Sequence, residues 1–247
     1  IKEKNDFIYQ PVLVAFGFLF SGVIANIIIW RKFNLLFVIP KIREIWDMIK
    51  GSWDMFISLF LPNLYTNFSI ILLKNYGGDV ATGLYYSGFK FIALADVMTQ
   101  VMSRTFYTFL ARRLDKHYLY ARISGIISVI SSLILYFGAD LLIEIFYTNK
   151  FTDSAAVIKI MAITPFFLFL MNTYGQNYLV LAGEMKILKK IIVFCSLGGF
   201  ILSWVVVTKF NYIGVAITIT MVWGIRGLLT YYYASKIKAK AQIHNSL

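Results

Sequence analysis

Charge is scarce in this chain, and cysteine is all but missing. Only 15% of the 247 residues are charged, against about 25% in an average soluble domain. With 59% of residues hydrophobic, too little polar surface remains to cover a soluble globule. The single cysteine, Cys195, lies inside an apolar run, so no disulfide framework or cysteine-based metal site forms within one chain. His117 and His244 are too far apart in sequence to mark a metal pair. No P-loop, HExxH or GxSxG pattern occurs, so ATP hydrolysis, zinc-protease and serine-hydrolase chemistry lack a sequence basis. No repeat of 20–50 residues is visible either. The reading expects no cofactor, no metal and no enzymatic activity. The chain opens on Ile1 rather than Met, which leads us to expect an internal fragment of a longer protein. The basic n-region and small-residue cleavage site of a signal peptide are also missing from this opening.

What is present is a series of long apolar runs. A membrane-crossing helix needs about 20 mostly apolar residues. Runs that meet this are Pro11 to Trp30, Trp53 to Leu73, Gly83 to Leu110, Ile123 to about Tyr147, Ala155 to Ala182, Ile187 to Val207 and Ile213 to Ala234. The expected fold is therefore an all-α polytopic transmembrane bundle of about seven spans. Between the first two runs, Lys41 to Gly51 places Ile42, Ile45, Trp46 and Ile49 on one helical face. A basic amphipathic connector of this kind lies along a membrane surface. Tyr76-Gly77-Gly78-Asp79 marks a turn after the second run.

Basic residues outnumber acidic ones by 24 to 12, and their placement is ordered. Fifteen of them follow the first, third, fifth and seventh runs, including Arg31, Lys32, Arg112, Arg113, Lys189, Lys190, Lys236 and Lys238. Only Lys2, Lys4, Lys74, Lys150 and Lys209 occupy the alternate loops. Basic loops stay cytoplasmic, so the chain is expected to start outside and end inside. Because these residues punctuate apolar runs rather than form one patch, nucleic acid is not an expected partner.

Charges inside the spans carry the functional information, because each is costly in hydrocarbon. The third run holds Lys90, Asp96 and Arg104. Relative to Lys90, Arg104 lies about 40° round the helix, Gln100 about 80° and Asp96 about 120°, all in one direction. The four form a polar stripe, with Asp96, Gln100 and Arg104 at mutually supporting i, i+4, i+8 positions. The stripe either lines a polar cavity or is a structural ion pair with snorkelling ends. Asp96 sits mid-span, where it serves either to hold Arg104 or to meet substrate. Asn63 and Asn67 lie one turn apart beside Pro62, and Asn172, Gln176 and Asn177 follow Pro165. Such amides suit sugar hydroxyls, and they equally glue helices together. Arg226 lies deep in the last run, as a second cavity cation or a snorkelling one. Three embedded cations against one deep acid favour an anionic passenger, such as a phosphate or pyrophosphate group. The expected substrate-binding set is Lys90, Asp96, Gln100, Arg104, Arg226, Asn63 and Asn67.

Several segments carry a family resemblance in their order and spacing. They are Leu61-Pro62-Asn63-Leu64-Tyr65, then Thr82-Gly83-Leu84-Tyr85-Tyr86-Ser87-Gly88-Phe89-Lys90, then Ile143-Glu144-Ile145-Phe146-Tyr147 with Phe151 and Ala155-Ala156, and finally Tyr212-Ile213-Gly214-Val215-Ala216-Ile217-Thr218. From about Lys41 onward the chain resembles the O-antigen and polysaccharide flippases of the multidrug/oligosaccharidyl-lipid/polysaccharide exporter superfamily. The resemblance implies two six-helix lobes around a central cavity in the bacterial inner membrane. It further implies alternating access that carries undecaprenyl-diphosphate-linked repeat units to the periplasmic leaflet, and so a place in lipopolysaccharide assembly. On this reading residues 1–40 hold the last helix of the N-terminal lobe and the start of the connector, and 41–247 form the C-terminal lobe. The partners are then a lipid-linked oligosaccharide, the bilayer, the missing N-terminal lobe and other polysaccharide-assembly membrane proteins. The alternatives are a drug or cation antiporter of the same superfamily, which would want embedded carboxylates, and a membrane glycosyltransferase or polymerase, which would want a large extramembrane loop.

Overall fold

The computed structural model describes residues 9–33 and 40–244; Lys2, Lys4 and the stretch 34–39 lie outside the described residues. The chain divides into two compact units, Ile1–Gly51 and Ser52–Leu247. The first contains helix α1, Tyr9–Phe33, and the opening turns of α2, Ile42–Arg112. Within α1, Asn26 donates to the Gly22 carbonyl at 2.8 Å, so its amide is satisfied inside its own helix. The expected amphipathic connector is helical. Its first turn is capped by the Glu44 carboxylate, which accepts from the Lys41 N–H at 3.1 Å. Ile42, Ile45, Trp46 and Ile49 are all exposed.

The second unit contains the rest of α2, followed by α3 (His117–Phe146), α4 (Ser154–Met161), α5 (Thr164–Leu170), a π-helix (Met171–Leu179) and α6 (Met185–His244). Short 3₁₀ turns at Leu114–Lys116 and Asn149–Phe151 complete it. No strand occurs among the described residues. This is an all-α, multi-pass membrane bundle. Five segments are long and apolar enough to cross a bilayer. Two of them, with 58 and 55 residues, would each extend more than about 80 Å, far beyond a hydrocarbon core of about 30 Å. Each is broken at one residue, Gly78 (φ 74°) in α2 and Asn211 (φ 49°) in α6. Divided there, the described rods number seven, one for each hydrophobic run of the sequence. The rods outlast the runs, since α3 starts at His117 and not at Ile123.

Both breaks are hairpins. Leu72 and Leu73 pack in one cluster with Ala81 and Tyr85 across Gly78, and Val207 packs in it with Val215 across Asn211. The two turns lie side by side: a Cβ on Gly77 would stand 3.2 Å from Asn211 Oδ1. Phe151 reaches Gly83 at the same end. At the other end Leu114, Met185, Leu188, Ala234 and Ile237 pack together. This second end carries Arg112, Arg113, Lys186, Lys189, Lys190, Lys236 and Lys238. Within the second unit the turns at Gly78 and Asn211 and the segment around Phe151, which hold few basic residues, share the opposite end.

Proline acts differently in two places. Helical dihedrals continue through Pro62; Gly78 is the non-helical residue of α2. Pro165 instead opens α5, after a break at residues 162–163 that ends α4. At the first turn of a helix its missing N–H costs nothing. Two motif glycines mark packing seams. A Cβ on Gly214 would stand 2.5 Å from the Val206 carbonyl oxygen, and one on Gly88 would stand 2.8 Å from the Ser154 carbonyl oxygen and 2.8 Å from Val157. Polar glue is small: Ser69 and Ser203 share a buried hydrogen bond of 2.7 Å between α2 and α6.

The Gly88 seam supplies a test. Gly88→Leu is expected to lower the thermal midpoint of the full-length protein in detergent, because overpacking costs about 1–3 kcal/mol. Gly138→Ala, whose Cβ would meet only Leu142 of its own helix at 4.0 Å, should hold or raise the midpoint.

Candidate functional site

The polar stripe of α2 forms a hydrogen-bonded relay. Gln100 Nε2 donates to Asp96 Oδ2 at 3.0 Å, and Arg104 Nη2 donates to Gln100 Oε1 at 3.2 Å. Asp96 and Arg104 are eight residues apart, about 12 Å along the axis, so the amide must bridge them. Asp96 is half-buried, whereas Arg104 is exposed. The acid thus orients the amide, and the amide steadies the guanidinium.

Arg104 opens onto a cavity of about 500 Å³. Gln100, Ser103, Arg104 and Tyr107 of α2 form one wall, and Asn172, Gln176 and Asn177 of the π-helix form the facing wall. Met55 and Leu59, from the first rod of α2, supply an apolar side. The walls are also joined directly. Asn177, fully buried, donates from Nδ2 to the Ser103 carbonyl at 3.2 Å. Its Oδ1 is buried with no hydrogen-bond partner among the described residues. The site therefore offers one guanidinium, several amides and a free acceptor beside an apolar strip. Chemically it can bind an anion next to hydroxyl-bearing groups.

Other expected residues lie elsewhere. Lys90 is exposed and fourteen residues before Arg104, about 21 Å along the helix. It does not line this cavity. Asn63 is exposed and donates to the Leu59 carbonyl of its own helix at 3.0 Å. Asn67 is exposed and also stands apart from the cavity. Arg226 lies beside Tyr65 and Cys195, where its Nε is buried without a hydrogen-bond partner. Of the expected set, Gln100 and Arg104 line the cavity and Asp96 supports them. Lys159 pairs with Asp140 at 2.6 Å near the end where Gly78 and Asn211 turn. Ser103 and Tyr107 also line the cavity; they carry no charge, so the sequence does not set them apart from the many hydroxyls that bond within their own helices. His117, buried at the start of α3, meets the Thr173 carbonyl of the π-helix at 2.9 Å, a contact that no local sequence signal marks.

Comparison with known proteins follows from this geometry. Residues 2–112, which include the whole relay, match the family model described as polysaccharide biosynthesis protein. Along most of its length the chain is similar to two curated proteins, each named "Putative O-antigen transporter". One, from Shigella dysenteriae, is 22% identical over 224 residues, covering 89% of this chain and 57% of the relative. The other, from Escherichia coli (strain K12), is 24% identical over 231 residues, covering 89% of this chain and 55% of the relative. The chain is thus similar to polysaccharide biosynthesis proteins over residues 2–112 and to two O-antigen transporter relatives over most of its length. It spans about half the length of the curated relatives it matches. No solved structure matches it. The π-helix wall of the cavity falls outside the 2–112 match, and its position opposite Arg104 is decided by the structure.

Asn177→Leu is expected to cost about 1 kcal/mol, the net worth of one buried hydrogen bond. The cost should appear as a lower thermal midpoint of the full-length protein in detergent. Asn63→Ala, which loses only a bond within its own helix, should leave the midpoint nearly unchanged.

Proposed function

We propose that this chain forms part of a flippase for undecaprenyl-diphosphate-linked O-antigen or polysaccharide repeat units. In this reading residues 41–247 are the C-terminal lobe, and residues 1–40 carry the last helix of a partner lobe and the start of the connector. The observation that carries the reading is the cavity in which Arg104, steadied by Gln100 and Asp96, faces Asn172, Gln176 and Asn177. A guanidinium binds phosphate oxygens through its planar fork. Amides supply both donors and acceptors for sugar hydroxyls. The names of the two relatives point the same way. An acidic cavity, which a cation antiporter would need, is not what this site offers: its one acid, Asp96, is engaged with Gln100.

The placement in the membrane follows from charge. Lysines and arginines are gathered at the end of the second unit where Leu114, Met185 and Ile237 meet. The positive-inside rule puts that end, with the C-terminus, in the cytoplasm of a bacterial inner-membrane protein. Arg104 is eight residues from Arg112, about 12 Å from that end, so the cavity receives the head group from the cytoplasmic leaflet. Alternating access then needs the second lobe to close the far wall and rock about the site. The lipid tail remains in the bilayer while the head group crosses.

Deleting the full-length gene should abolish surface polysaccharide and leave lipid-linked repeat units on the cytoplasmic side. Normal polysaccharide in a strain without a redundant transporter would sink the reading. In complementation of that deletion, Arg104→Glu should fail. Arg104→Lys, which keeps charge without the fork, should restore polysaccharide only in part. Lys90→Glu, outside the cavity, should be the milder charge reversal; an equal loss would move the site along the helix.

A further inference from the structure

The facing wall of the cavity depends on an unusual helix. Counting from Asn172 at about 100° per residue, α-winding would put Gln176 about 40° away and Asn177 about 140° away. Gln176 would then share a wall with Asn172, and Asn177 would be turned away from both. Bonds to the fifth residue widen the turn to roughly 82° per residue, which brings Gln176 to about −30° and Asn177 to about 50°. Residues Met171–Leu179 are wound this way, and the Val180 N–H reaches the Gly175 carbonyl at 3.1 Å. All three amides accordingly line one cavity.

A π-turn is rare because its backbone packs poorly, so something outside the helix must hold it. Two cross-links do so. Asn177 grips the Ser103 carbonyl from within the cavity wall. On the other side His117, the first residue of α3, lies 2.9 Å through Nε2 from the Thr173 carbonyl. A carbonyl only accepts, so Nε2 carries the proton and donates. His117 is 2% exposed. Its ring is boxed by Tyr120, Tyr174 and Tyr178, with centroids 6.4, 5.3 and 5.0 Å away. Burial at this level shields the bond from solvent.

We propose that His117 is a positioning residue of the binding cavity: its bond to the Thr173 carbonyl holds the π-winding that turns Asn172, Gln176 and Asn177 toward Gln100 and Arg104. The role in transport rests on the cavity being the substrate site, as proposed above. The role in geometry does not. His117 touches no cavity-lining side chain in this scheme; it acts through the backbone between them.

The test uses the full-length protein in a cysteine-free background, with a reporter thiol at Gln176→Cys or, separately, at Arg104→Cys. A charged, water-soluble maleimide measures each labelling rate. Relaxation to α-winding would turn position 176 by about 70° while leaving position 104 in place. His117→Phe keeps the ring and removes the donor. It is expected to change the labelling rate at 176, by no more than the roughly fivefold shift in equilibrium that one net hydrogen bond sets, and to leave 104 unchanged. His117→Gln, whose amide extends to a similar reach, should recover the rate. Unchanged labelling at 176 in His117→Phe would overturn the proposal. So would an equal change at both positions, or a failure of His117→Gln to recover, since each assigns the effect to ring packing or general collapse. Surface polysaccharide is read in the same strains without the reporters, and should fall with His117→Phe and recover with His117→Gln. If the labelling pattern appears while polysaccharide is unchanged, the positioning geometry stands and the assignment of this cavity to transport falls.

Discussion

In hydrocarbon a polar group has only protein to bond to, and the whole second unit is arranged around that constraint. Backbone groups satisfy one another in helices, because an open sheet edge has no partner in lipid. Many side-chain polar groups follow the same rule. Hydroxyls such as Ser87 and Thr230 bond back to carbonyls of their own helices. Ser69 and Ser203 bond each other between helices. The buried polar residues are nearly all serine and threonine, whose short side chains fit without opening the packing, and some of them, such as Ser124, Ser154 and Thr218, are buried without a partner among the described residues. The larger polar groups, Asp96, Gln100 and Arg104, are gathered into one relay that ends at a cavity.

Close packing completes what hydrogen bonding begins. Lipid tails are as apolar as leucine, so helices in a bilayer associate through fit more than through burial. Gly88 lies against the backbone of α4, and Gly214 lies against the turn it follows. These contacts explain why glycines sit inside these two sequence segments. The hairpins at Gly78 and Asn211 stand side by side, which fixes the alternation of the loops and collects the basic ones at one end.

The cavity is where local winding and tertiary packing meet. One wall is an ordinary α-helical stripe. The other is a π-turn held by Asn177 on one flank and His117 on the other. In the proposed function, Arg104 on the α-helical wall meets the anion. The amide wall beside it depends on remote support, which makes the start of α3 part of the site although it lies outside the cavity.

Much of this was legible in the sequence, for a physical reason. Hydrophobic run length is set by bilayer thickness, so the membrane class and the seven runs could be read without coordinates. The 3.6-residue period is a local property, so the relay of Asp96, Gln100 and Arg104 could also be read, and the turn at Gly77-Gly78 followed from glycine's freedom at positive φ. What ranked Lys90, Asn63, Asn67 and Arg226 beside Arg104 was residue type, and type carries no information about distance between helices. Only the tertiary structure separated Lys90 from Arg104, sent Arg226 toward Tyr65 and brought Asn172, Gln176 and Asn177 across from Arg104. Only the tertiary structure, too, decided the π-winding. No local propensity selects a π-turn, and the bonds that hold this one come from His117 and Ser103, 56 and 74 residues from their partners.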